Sequence, residues 1–204
     1  MDPALQPLAD QIDFASQRLL GTARIIDDSD LREPSLLPGW TRAHVLAHLA
    51  RGADALRNLM IGARTGQPKP AYASPEARAA DIEAGARQPR GDLLDDLAAA
   101  DNAFRTVSRQ LPDEAWATEI SWVPGLDPFP ARELLVRRLV EIELHHVDLG
   151  AGYTAADWPD GFAVLRLPEP LRVQREERRT WDRTPPPLRK PRPPRGRPDR
   201  VMPW

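Results

Sequence analysis

Apolar residues recur at three- and four-residue steps in four separate stretches of the chain, the spacing of a helix with one buried face. In the first, Leu5, Leu8, Ile12, Ala15, Leu19, Ala23 and Ile26 predict a helix over residues 4–27. A loop rich in breakers, DDSDLREPSLLPGW, follows. Thr41 then fits the N-cap of a second helix running to about Gly62. Turn residues dominate TGQPKPAYASPEAR, and a third helix starts near Asp92, with Leu93, Leu97, Ala100, Phe104, Val107 and Leu111 on one stripe. After an irregular segment, Pro130 suits a helix first turn, and a fourth helix reaches Gly150, a natural stop. Four amphipathic helices of this length predict an all-α four-helix bundle.

Beyond Val164 the pattern stops. The segment from Leu165 holds ten of the 23 prolines, and twelve Arg/Lys against five Asp/Glu, a charge of +7. The net charge of −2 therefore hides a body at −9 and a basic end. The expected organisation is a bundle over 1–163 and a largely disordered Pro/Arg-rich tail over 164–204. Arginine alternates there with proline rather than with aromatic or helical spacing, so no nucleic-acid partner is expected.

Composition removes several chemistries. Without cysteine there are no disulfides, thiolate ligands or intrinsic thiol nucleophile, so sulfur chemistry would need an external thiol. No run of about 18 apolar residues predicts a membrane span. MDPALQPLADQ lacks the apolar core of a signal peptide, leaving a cytoplasmic monomer as the expectation.

Two histidine-bearing turns carry the candidate chemistry. On a wheel of the fourth helix, Leu134, Glu141, His145 and Asp148 share a narrow stripe between apolar flanks, with Arg132 and Glu143 roughly opposite. A helix this apolar is embedded, so one of its two polar stripes is expected to face water and the other, with Glu141, His145 and Asp148, a cavity or partner helix, where charge without a partner is costly. Carboxylate and imidazole one turn apart suit a divalent metal such as zinc. The competing reading is an exposed salt-bridged stripe with an incidental histidine. His48 adds weight to the metal, because Val45, Gly52, Ala55 and Leu59 on its face leave room for a ligand sphere. His44 lies one turn earlier on that face. Asp148 is placed to accept the second ring N–H of His145, and His146 points with Leu135, Leu139 and Ile142 as a structural histidine. Spacing alone leaves open a closed four-ligand site including His44 or an open three-ligand one.

At these residues the chain resembles the mycothiol-dependent maleylpyruvate isomerases, within the DinB-like metal-binding bundle superfamily. The matching stretches are SLLPGWTRAHVLAHLARGADALRNLM, ARTG, YASPEARAADIEAGA and VEIELHHVDLGAGY, between Ser35 and Tyr153. The resemblance implies zinc, or another divalent metal, on His48, Glu141 and His145, with His44 and Asp148 as neighbouring support. It also implies mycothiol as the cofactor thiol: the thiolate adds to the cis double bond of maleylpyruvate, the resulting single bond rotates, and expulsion of the thiol leaves fumarylpyruvate. A small-molecule substrate and a low-molecular-weight thiol are then the partners, with Arg42, Arg51 and Arg138 as candidates to screen the substrate dianion. Another mycothiol-dependent transferase and a non-catalytic metal-binding bundle are the alternatives. Family members continue into a mixed α/β domain, whereas here the likeness fades after Trp158–Phe162. A frame-shifted or truncated coding sequence is the expectation, with the pocket-closing half lost.

Overall fold

The computed structural model describes residues 2–122 and 127–181, so the Arg/Pro-rich run 182–204 lies outside the described residues. Four long helices, α1 (Gln6–Ile25), α3 (Arg42–Thr65), α5 (Arg90–Gln110) and α6 (Glu133–Asp148), form the bundle. Short α2 (Asp28–Arg32) and α4 (Pro75–Ala86) link them, and α7 (Asp160–Ala163) and α8 (Leu171–Trp181) follow. A two-residue antiparallel pair, Glu119–Ile120 with Phe129–Pro130, precedes α6. The all-α expectation holds.

Side-chain pairs fix the helix directions. Ser16 meets Asp101 and Asp13 meets Arg105, so α1 and α5 are antiparallel. Arg18 meets Glu143 and Thr22 meets His146, so α1 and α6 are parallel. His48 faces His145 and Gly52 faces Glu141, so α3 opposes α6. It follows that α3 and α5 run the same way, and the chain must return the length of the bundle between them. The segment that makes the return contains α4, which packs on α3. Its start is set by Ser74, which caps the Ala77 N–H, and by Pro75 in the first turn.

The core is a continuous apolar cluster including Ile12, Leu19, Leu46, Leu49, Leu56, Met60, Leu97, Phe104, Leu139 and Ile142. An ion pair sits inside it. Arg138, fully buried, donates to the Leu49 carbonyl at 3.0 Å and to Asp101 Oδ1 at 3.1 Å. The same Asp101 oxygen accepts from Ser16 Oγ at 2.7 Å, so α1, α3, α5 and α6 meet at one polar knot. A buried charge survives only with such partners.

Two expectations change. Glu143 does not face water: it is 1% exposed, bonded to Arg18 from α1 and to the Tyr153 hydroxyl. The stretch after Val164, read as lacking an organised face, includes α8, which buries Leu171, Arg175 and Arg178 and meets α6 through Arg178 and Asp148.

Candidate metal centre

The site lies where the middle of α3 crosses the C-terminal half of α6. Four-residue spacing puts His48 and Gly52 on one face of α3, and Glu141 and His145 on one face of α6. The two imidazoles meet edge to face with Nε2 atoms 3.0 Å apart, and both rings are buried. Trp40, just before α3, closes over His48 edge-on at 5.4 Å. One turn along, the missing side chain of Gly52 makes room for Glu141. A Cβ at residue 52 would stand 2.7 Å from Glu141 Oε2.

The protons of the pair can be assigned from their neighbours. Arg78 on α4 donates through Nη2 to His48 Nδ1 at 3.0 Å, and a guanidinium has no acceptor to offer in return. His48 therefore carries its proton on Nε2 and donates it to His145 Nε2. His145 in turn donates from Nδ1 to Asp148 Oδ2 at 2.8 Å. Asp148 also accepts a two-pronged bond from Arg178 on α8, at 3.0 and 2.9 Å. The donors thus all point one way, from Arg78 to Asp148.

Burial holds the His48 imidazole well below its usual range, and His145, Arg78 and Arg138 push the same way. Burial alone would raise the Asp148 carboxyl, but the bond from His145 and the charge and bonds of Arg178 prevail and keep it low. Tyr72 is raised above the usual phenol range by burial and then by the charge of Glu141, while Arg78 lies 5.3 Å over its ring.

Whether a cation fits can be judged from these donors. As the side chains stand, no three His, Asp or Glu groups among the described residues are close enough together to hold an ion. Yet Glu141 Oε2 is buried without a hydrogen-bond partner, with Arg138 Nη1 3.8 Å away. A carboxylate oxygen without a hydrogen-bond partner, one helical turn from two facing imidazole nitrogens, supplies the nitrogen and oxygen donor types that suit zinc. Asp148 holds His145 in the tautomer that frees Nε2, as carboxylates do behind metal-bound histidines. Arg78 opposes binding, because an Nε2-ligated His48 would carry its proton on Nδ1, facing the guanidinium.

The other candidates lie elsewhere. His44 gives Nδ1 to Thr41 and Nε2 to Glu83, stacks beside Trp40 and joins neither His48 nor His145. His146 is structural, bonded to Thr22 and stacked on Tyr153 at 3.7 Å. Arg42 donates to the carbonyls of Asp30, Leu149 and Gly150, and Arg51 pairs with Asp54 and Asp96. With Arg138 in the knot, all three arginines proposed to screen a substrate are committed to the fold. Sequence reasoning missed Arg78 and Arg178, which come from elements it did not predict.

Comparison with known proteins identifies the family of the bundle. A family model, "Mycothiol maleylpyruvate isomerase N-terminal domain", matches residues 13–150. The chain is similar to the crystal structure of the mycothiol-dependent maleylpyruvate isomerase, at 33% identity and a TM-score of 0.74. It is similar to a histidine-to-alanine mutant of that enzyme at 32% and 0.73. Each comparison covers 78% of this chain and 65% of the other, so the chain spans just under two thirds of those proteins. No curated protein matches it. Shared sequence across most of the bundle and a shared fold make the chain a member of the mycothiol maleylpyruvate isomerase N-terminal domain family.

Proposed function

We propose that this protein is a mycothiol-dependent maleylpyruvate isomerase-like metalloprotein, holding zinc or another divalent cation with His48, Glu141 and His145. The observation that carries the reading is the buried Glu141 oxygen without a hydrogen-bond partner, lodged against Gly52 one turn from two facing imidazole nitrogens. The reaction it would serve is reversible addition of an external thiol across a cis double bond, rotation about the resulting single bond, and loss of the thiol. The thiol leaves unchanged, and the chain's lack of cysteine is consistent with an external one. A bound zinc ion would favour the thiolate and stabilise developing oxygen charge. The chain's own part is to orient His145 through Asp148, to shield the pair beneath Trp40, and to seat Glu141 in the notch at residue 52.

The test is metal analysis of the purified protein, followed by a maleylpyruvate assay with and without mycothiol. About one zinc per chain, lost in His145→Ala and in His48→Ala, supports the site. Fumarylpyruvate formed only when mycothiol is present supports the isomerase. Zinc without turnover assigns a non-catalytic metal-binding bundle, and thiol transfer to other electrophiles assigns a mycothiol-dependent transferase. A protein that binds no zinc, nickel, cobalt or iron overturns the metal reading.

A further inference from the structure

We propose that Arg178, on α8, is a positioning residue for this centre, acting on His145 through Asp148. The inference rests on the metal reading above and assigns a role to a helix lying wholly beyond the family-matched residues 13–150. Arg178 is 2% exposed, and its guanidinium fork grips both oxygens of the fully buried Asp148. The ring of Trp181 lies 4.9 Å from the same guanidinium.

Three physical steps lead from this fork to the imidazole. First, a carboxylate held at one oxygen can turn about its Cβ–Cγ bond, whereas a two-pronged bond fixes its plane. The oxygen so fixed, Oδ2, is the one that accepts His145 Nδ1–H. Second, Asp148 without a cation would be a buried charge facing a neutral ring, which is costly. Arg178 removes that cost from outside the bundle. Third, the ring nitrogen left free by this tautomer, Nε2, is the one aimed at His48. The arginine therefore sets which nitrogen of His145 is open and where it points.

The rest of α8 serves to deliver this one side chain. Leu171 is buried, and Arg175 Nη1 ties the helix to the carbonyls of Phe162 and Leu165, both at 2.8 Å. Arg175 makes no bond to Asp148, which makes it a useful control.

The experiment compares Arg178→Gln, Arg178→Lys and Arg175→Gln with the parent chain, measuring zinc affinity by chelator competition and fold by circular dichroism. Loss of a group that supports a metal ligand costs about 10- to 100-fold in affinity, and that loss is expected for Arg178→Gln. Arg178→Lys keeps the charge, and with it the fold, but not the fork; its affinity should fall between the two. Arg175→Gln loosens the same helix and should lower the melting temperature while binding zinc as the parent does. Parent-like zinc binding in both Arg178 variants, or an equal loss in Arg175→Gln, overturns the proposal. If the parent binds no zinc, the metal reading fails, and nitrogen NMR of the metal-free imidazoles decides the role of Arg178. The parent should carry the His145 proton on Nδ1, and Arg178→Gln should show a mixture of tautomers. Identical spectra would refute it.

Discussion

At position 52 the lack of a side chain decides where Glu141 stands. A methyl group there would lie 2.7 Å from Oε2, and the carboxylate, as the end of a flexible side chain, would be the group to move. Within a helix alanine is favoured over glycine by about 1 kcal/mol. Gly52→Ala is therefore expected to raise or preserve the melting temperature of the metal-free protein while weakening zinc binding at least tenfold. A variant that melts higher and binds zinc normally would separate Glu141 from the site. Arg78 predicts a change of opposite sign. Its donor faces the His48 nitrogen that must carry a proton in the metal-bound form. Arg78→Gln should therefore tighten zinc binding by up to about tenfold, near the worth of one hydrogen bond. Chelator competition reads the sign directly. Periodicity was enough to align His48 and Gly52, and Glu141 with His145 and Asp148, because each set lies on one face of one helix. It could not find Arg78 or Arg178, whose contacts to the site span thirty positions and join different helices.

Among the elements, the start of α3 is fixed by a reciprocal cap. The Thr41 hydroxyl accepts from the His44 N–H, and His44 Nδ1 accepts from the Thr41 N–H. Thr41→Ala should cost about 1 kcal/mol in chemical denaturation, with zinc affinity unchanged, since His48 lies a full turn further on. The four long helices were legible because each carries a stripe of large apolar side chains. α4 was not, although Ser74 and Pro75 mark its start, because its buried face is small: Ile82, Gly85 and Ala86. Gly85 lets it approach so closely that a Cβ there would stand 2.9 Å from that of Ala47. α8 was invisible for a different reason. It docks by arginine side chains that find carbonyl and carboxylate partners, so its buried positions read as polar in any hydrophobic pattern.

For the whole molecule, topology and acid response follow from pairs between helices. Among the described residues no helix is long and apolar enough to cross a membrane. His146 lies between α1 and the segment after α6, against Thr22 and Tyr153, with Arg18 and Asp157 as the charges that act on it. Burial, and then Arg18, lowers it from 6.5 to about 4, against a weaker opposing pull from Asp157. The unfolded chain thus takes up this proton first. The stability conferred by the neutral ring is complete above about pH 6.5 and is lost as pH falls toward 4. The shift caps that loss at about 3 kcal/mol. In chelator-treated protein, His146→Gln should flatten the fall in stability between pH 6.5 and 4; an unchanged slope would assign the acid sensitivity to other groups.

The Arg138–Asp101 knot has a consequence for the candidate centre. α6 cannot turn about its own axis without breaking the bonds of Arg138 to α3 and α5 together. A rotation of one residue is about 100°, enough to swing Glu141 and His145 away from α3 altogether. The angular setting of both side chains is thereby decided during assembly of the bundle, so any ion this centre would hold is met by an aim taken beforehand.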